Sequence, residues 1–436
     1  MNFYKKSYFW IIFAFCYAII VARHEKIPFH DEGNGRSWYY GDKASALNVE
    51  SAAKYYIDSG FSKNAGLPVY QYTTLNQDYV YTHYPPLAEW IGGGLAYITG
   101  HWDAYSLAFL PMILSVILFF IIFIFLNEIL PNRNASFLSA SILVLSNYFL
   151  CWADDIHQHL YIELFKWLYV YIYWKYLTSN SRKVISLIAL ALLYFGMCLL
   201  SFEPYVYIFI VNIGLALVYR KKIFSIDLIL LTCVPIAAFT FRMYLNCLYF
   251  GGIEAMFKDI SSAFGERIGA DKTHSEIGRT MGIFDYLLLL PKTRIQRLGH
   301  FFIFPSLVLI YFYCLAFIHF YQSNRLLFKI AIVFFIASLS WCFIMPQHAL
   351  VHLFTLRHNA IFLGIILGYG ILEFRKKIQT AYVEKKYFSF GFHSILVLYS
   401  FMYIFVNTVY LVYLQYGLLY PHLGIDKYEI INHFLF

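Results

Sequence analysis

Long apolar runs separated by short polar links dominate the pattern of this chain. A helix needs about 20 apolar residues to cross the hydrocarbon layer of a bilayer, with a usual range of about 17–25. Segments of that kind, some of them short, lie at roughly 7–22, 105–127, 134–152, 157–176, 183–200, 204–219, 224–246, 300–320, 327–345, 356–373 and 391–415. The pattern predicts an all-α polytopic membrane protein, a bundle of about 11 transmembrane helices forming a single domain over residues 1–436.

The links between these runs alternate in character. One set is short and basic: Lys5-Lys6, Arg133, Arg182-Lys183, Arg220-Lys221-Lys222, Arg325 with Lys329, and Arg375-Lys376-Lys377 with Lys385-Lys386. Basic links of this kind stay on the cytoplasmic side, which places the N-terminus inside. The other set holds two long loops, 23–104 and 247–299, and the short links 153–156, 201–204 and 346–355, all facing outward. Within the first loop, Asp42 to Ser59 reads as a helix stopped by Gly60. Within the second, Ile253, Met256, Phe257, Ile260 and Phe264 recur at helical spacing, as in an amphipathic helix at the lipid interface. The first span follows two lysines, as a signal peptide would, but no Ala-x-Ala site precedes Arg23, so an uncleaved anchor is expected.

Composition adds little to this picture except exclusions. Only 13% of residues are charged, against about 25% in soluble domains. The net charge of +8 is spread over the short links, not gathered on one face, so no nucleic-acid partner is expected. The seven cysteines show no CxxC, and most lie in apolar runs (Cys16, Cys198, Cys233, Cys314, Cys342), where they read as small buried hydrophobes.

The polar residues that do change the picture gather at the outer helix ends. They are His30, Asp31 and Glu32; His83 in YTHYPPL; Asp154, Asp155, His157 and His159 in WADDIHQH; Glu203 in SFEPY; and His348, His352, Arg357 and His358 in MPQHALVHLFTLRH. Each also has an ordinary role open to it. One aspartate of Asp154-Asp155 could cap the following helix, and Glu203 sits where a helix dipole favours a carboxylate. Asp155 with His159, and His348 with His352, are four residues apart and would share a face if helical. The collection at one membrane face is what suggests a single outward site.

An adjacent acidic pair just after the first span (Asp31-Glu32), then a Pro-Pro turn leading to a helix (His83-Tyr84-Pro85-Pro86-Leu87), then a second acidic site between the third and fourth spans (Asp154-Asp155) resembles the GT-C superfamily of integral-membrane glycosyltransferases. The likeness is nearest to the protein O-mannosyltransferase and lipid A aminoarabinose transferase branch, and covers the chain to about residue 205. It implies a GT-C-like bundle and transfer of a sugar from a polyprenyl-phosphate carrier at the outer, periplasmic face of a bacterial inner membrane. It gives Asp31 or Glu32 the role of catalytic base and Asp154 and Asp155 a place in the acceptor or metal environment, where His157, His159 and Glu203 would join them. The aminoarabinose branch has Lys before Pro-Pro where this chain has Tyr84, leaving His83 as the nearest basic group. The sequence runs about twenty residues past its last span, so a protein acceptor held by a soluble C-terminal domain is not expected.

The chemistry follows from the residues as well. A carboxylate within reach of an acceptor hydroxyl makes it more nucleophilic, and cationic donors or a divalent cation stabilise the departing phosphate. Arg357, His358, His352, His348 and His83 suit the phosphate, because a guanidinium fork matches its oxygens. A hard cation, Mg or Mn, would prefer Asp31, Asp154 and Asp155. Trp38, Tyr39, Tyr72 and Tyr84 could stack on sugars, although interfacial aromatics are usually belt residues. Partners are then the donor lipid, membrane lipids, and a glycan, lipid or protein acceptor. A lipid-linked polysaccharide polymerase or ligase shares donor and compartment and is the alternative. A transporter would show a repeat and midplane charges, and a metalloprotease HExxH; the sequence has neither a repeat nor that motif.

Overall fold

A computed structural model describes residues 43–75, 78–146, 152–153, 155–179, 184–220, 225–268, 306–351 and 353–415, with Trp10, Phe149, Leu289 and Pro291. In chain order the main helices are α1 (Lys43–Ser59), α2 (Leu87–Thr99), α3 (Phe109–Ile129), α4 (Arg133–Val144), α5 (Gln158–Thr178), α6 (Val184–Leu200), α7 (Glu203–Val218), α8 (Ile226–Phe250), α9 (Ile253–Ile268), α10 (Ser306–Ser323), α11 (Arg325–Ile344), α12 (Pro346–Val351), α13 (Ala360–Val383) and α14 (Tyr387–Gln415). A 3-10 turn, Leu353–Asn359, joins α12 to α13. Two strands of two residues each, β1 (Val69–Tyr70) and β2 (Tyr79–Val80), pair antiparallel with Val69 opposite Val80.

The architecture is that of an all-α polytopic membrane protein. Among the described residues, α3, α8, α11 and the stretch Thr355–Val383 are long and apolar enough to cross a bilayer. On α8 the apolar side chains of Ile226, Leu230, Ile236 and Leu248 stay exposed, as lipid-facing residues do. α5 has the length, 21 residues, but carries a buried Glu163–Lys166 ion pair that lowers its hydropathy. The span expected near 134–152 differs: α4 has 12 residues, about 18 Å of helix. It ends where the Ser146 hydroxyl turns back to the Leu143 carbonyl and competes with the helix.

The chain divides into two compact units, 1–121 with 150–275, and 122–149 with 276–436, the first boundary falling within α3. In the first unit α1 lies against α2. Glycine is required there, since a Cβ on Gly92 would come 2.6 Å from Val49 Cγ1 and one on Gly93 2.6 Å from Tyr56 Cδ2. Val49, Ala53, Ala96, Leu107 and Ile156 form one apolar cluster, which ties the turn before α5 to α1 and α2. Ala88, Tyr161, Ile162 and Leu200 form a second, seating the start of α2 on α5 and α6. In the second unit α13 is the central helix, buried from Ala360 to Gly370. It packs on α10 through Gly370, whose Cβ would lie 2.6 Å from Phe312 Cβ, and on α4, where Ser139 Oγ donates to the Gly364 carbonyl at 2.6 Å. Small residues at helix contacts permit this close approach.

Candidate active site

Several expected site residues fall in the first unit. His157 is the N-cap of α5, so Asp155 lies just before the helix and not on its face. It nevertheless comes near His159: Asp155 Oδ2 is 4.0 Å from His159 Nε2, while Asp155 Oδ1 accepts from the His157 backbone N–H at 3.0 Å. One aspartate thus caps the turn and approaches an imidazole together. Trp152 lies over His159, ring centroids 4.1 Å apart, and the His157 and His159 rings are 5.7 Å apart. Asp155, His157 and His159 are all buried. Glu203 stands in the first turn of α7, as expected, and is also buried.

The group includes a carboxylate that the sequence reading passed over. Glu89, in the first turn of α2, is 1% exposed; its Oε1 accepts from the Tyr70 hydroxyl at 2.6 Å and lies 3.8 Å from His157 Nε2. Its second oxygen meets no donor among the described residues. Burial pushes the Glu89 carboxyl up from 4.5 to about 7, against the Tyr70 hydrogen bond, which pulls the other way. The Tyr70 hydroxyl is itself raised well above 10.0, first by burial and then by the charge of Glu89. The available sequence signal was a carboxylate three residues after a Pro-Pro turn, in a helix otherwise apolar.

His83 is half-buried before that same turn, and its partner comes from the second long loop. His83 Nε2 is 3.0 Å from Asp259 Oδ1 on α9, and the Thr82 hydroxyl donates to Asp259 Oδ2 at 2.8 Å. The Thr82 carbonyl accepts from Arg242 Nη2 at 2.8 Å and Asn246 Nδ2 at 3.1 Å, both on α8. Arg242 lies 4.5 Å over the Phe202 ring, and Tyr84 meets Phe202 edge-on at 5.9 Å. The Pro-Pro segment, the α6–α7 link and the end of α8 therefore converge, although about 160 residues separate Thr82 from Arg242.

Apart from His83, the basic residues expected at the phosphate belong to the second unit. His348 on α12 accepts at Nδ1 from Trp341 Nε1–H at 3.0 Å, so its proton resides on Nε2 when the ring is neutral. Arg357 and His358 occupy the 3-10 turn, 1% and 2% exposed; the His358 carbonyl accepts from Ser338 Oγ at 2.9 Å, clamping the turn to α11. Asp31, Glu32, Asp154 and His352 lie outside the described residues, as do Trp38 and Tyr39. Tyr72 is bonded to Asp58 at 3.0 Å on the loop surface. Of the three aspartates expected at a metal, only Asp155 is described, and among the described residues no group of three His, Cys, Asp or Glu side chains is placed to hold a metal ion. Those residues do not by themselves form a metal site.

The helical bundle is similar in fold to proteins of known structure. The likeness is to the Archaeoglobus fulgidus oligosaccharyltransferase. Its apo crystal structure matches with a TM-score of 0.52 over 93% of this chain and 56% of that one, at 10% identity. The same enzyme, tethered by a disulfide to an acceptor peptide containing the NVT sequon, matches at 0.50 over 98% and 57%, with 12% identity. The chain thus spans little more than half the length of these neighbours, and the likeness is one of fold. No protein-family model matches the sequence, and no curated protein does.

Proposed function

We propose that this chain is a GT-C glycosyltransferase that moves a sugar from a polyprenyl-phosphate carrier to an acceptor hydroxyl at the outer membrane face. The observation that carries the reading is the buried carboxylate–imidazole group of Asp155, His157 and His159 at the head of α5, in a chain similar in fold to an oligosaccharyltransferase. Buried ionisable groups at the end of a membrane helix are costly and mark working sites.

In this reading Asp31, with Glu32 beside it, takes the proton from the acceptor O–H. The oxygen lone pair forms the new bond to the anomeric carbon as the bond from that carbon to the phosphate oxygen breaks. The phosphate departs with the electron pair and is met by Arg357, His358, His352, His348 and His83. Asp155, His157, His159 and Glu203 line the acceptor side, and Asp31, Asp154 and Asp155 would hold a divalent cation. The acceptor is a glycan, lipid or protein hydroxyl. The bilayer retains the isoprenoid tail, which explains why this chemistry sits on a polytopic scaffold.

The test is sugar transfer from synthetic polyprenyl-phosphate donors by the purified protein, with Asp155→Asn beside it. Transfer by the parent with a loss of at least about tenfold in the variant is the expected result. Absence of transfer across a panel of donors and acceptors would exclude the reaction.

A further inference from the structure

We propose that Asp259 is a positioning residue for His83: its carboxylate engages Nε2 of the imidazole and leaves Nδ1 to meet the phosphate of the lipid-linked donor. The inference rests on the donor proposed above and deepens it. Thr82 and His83 are held by more contacts than a loop needs. Both oxygens of the Asp259 carboxylate are used, one by the Thr82 hydroxyl at 2.8 Å and one by His83 at 3.0 Å. The Thr82 carbonyl is gripped independently by Arg242 and Asn246. The Tyr81 ring, 5.6 Å from that of His83, borders it on another side. With backbone and Nε2 both fixed, ring rotation is suppressed, and the side chain keeps 23% exposure. A histidine whose one nitrogen is tied to a carboxylate presents the other in a defined direction, the arrangement seen wherever an imidazole must meet a ligand in one pose.

The residues on either side favour a phosphate carried on lipid. His83 lies two residues before Pro85-Pro86, and α9, which carries Asp259, exposes Ile253 and Phe257 at 62% and 58%, as a helix at the lipid interface does. An imidazolium gives one N–H to Asp259 and the other to the phosphate, with the carboxylate as its counter-charge.

His83→Gln separates a staple from a working ring. Glutamine places an amide N–H where Nε2–H was, keeping the contact to Asp259, but offers nothing at the Nδ1 position. Full-length protein in phosphatidylcholine nanodiscs is titrated with synthetic polyprenyl phosphate, free of sugar, and with phosphatidic acid. His83→Gln is expected to melt with the parent and bind polyprenyl phosphate on the order of tenfold more weakly. Asp259→Asn, which keeps the Thr82 contact, should lose a similar factor, and the double variant no more than either single. Equal binding by His83→Gln and parent would overturn the inference, as would phosphatidic acid binding with the same dependence on His83. Undiminished sugar transfer in His83→Gln would refute the inference and leave the reaction standing. Phosphate binding that depends on His83, in a parent that transfers no sugar, would do the reverse.

Discussion

Replacing Glu89 by glutamine should stabilise the protein at alkaline pH and not at acid pH. The glutamine side chain keeps a carbonyl that accepts from Tyr70, as the Glu89 carboxylate does at 2.6 Å, and fills the same volume, so the change is one of charge. The Glu89 carboxyl rises from 4.5 to about 7 because burial disfavours its ionised form. A carboxyl with raised proton affinity in the folded state contributes stability that is fully present below about 4.5 and is lost as pH rises through about 7. At about 1.4 kcal/mol per pH unit, that interval corresponds to about 3 kcal/mol. The side chain is 1% exposed, so solvent screening removes little of it. Glutamine has no such dependence, and the advantage of the variant should therefore grow by about 3 kcal/mol between about pH 5 and pH 8.5, several degrees in melting temperature. The assay is a thermal melt of both proteins in one detergent across that range. Tyr70→Phe removes the hydrogen bond that lowers the Glu89 proton affinity, so the alkaline loss, with the same onset, should extend to higher pH and become larger in that variant. A melting difference between Glu89→Gln and parent that is constant with pH, or that widens toward acid, would refute the reasoning.

Arg357→Ala should weaken binding of labelled donor lipid roughly tenfold or more, beyond any loss of folding, because a charge-assisted phosphate partner is removed; equal binding by parent and variant would count against the assignment. Asp31→Asn should lower turnover about 10²–10⁴-fold at saturating donor while donor binding survives, with Glu32→Gln milder; near-parental turnover would move the base to Glu32 or to the second acidic site, Asp154-Asp155. Gly370→Ala should destabilise by about 1–3 kcal/mol, since its Cβ would meet Phe312 Cβ at 2.6 Å, next to the backbone, where little can yield; an unchanged melting temperature would show that α10 and α13 can separate freely.

The helices were legible because each is a local matter of apolar length and end signals. Gly60, at φ 88°, stops α1 where the sequence reading placed the end, and Ser225 caps α8. The amphipathic stripe of α9 was legible as a helix, but its faces were not: Met256 is buried while Ile253 and Phe257, on the same stripe, are exposed. Local periodicity shows which positions share a face, and only the neighbours decide how much of that face is covered. The Glu163–Lys166 pair was readable in principle, as opposite charges three apart within an apolar run.

Glu89 and Asp259 were hidden for a different reason. In sequence, Glu89 is a dipole-favoured carboxylate in a first turn, and Asp259 belongs to the polar face of an interfacial helix. Their roles come from partners 19 and 176 residues away, Tyr70 and His83. No spacing rule reaches that far, because such contacts depend on how α2 seats on α5 and how α9 folds back beneath the Pro-Pro segment. The His83 assignment shows the consequence. A lone histidine beside a Pro-Pro turn reads as a loose cation able to meet any phosphate. Tied to Asp259 and flanked by a pinned Thr82, it has one nitrogen committed, and only a ligand approaching the other can use it. On the proposal made above, reach toward a phosphate depends on a residue of the second long loop, and a substitution on α9 should alter donor recognition without touching any of the motifs that suggested it.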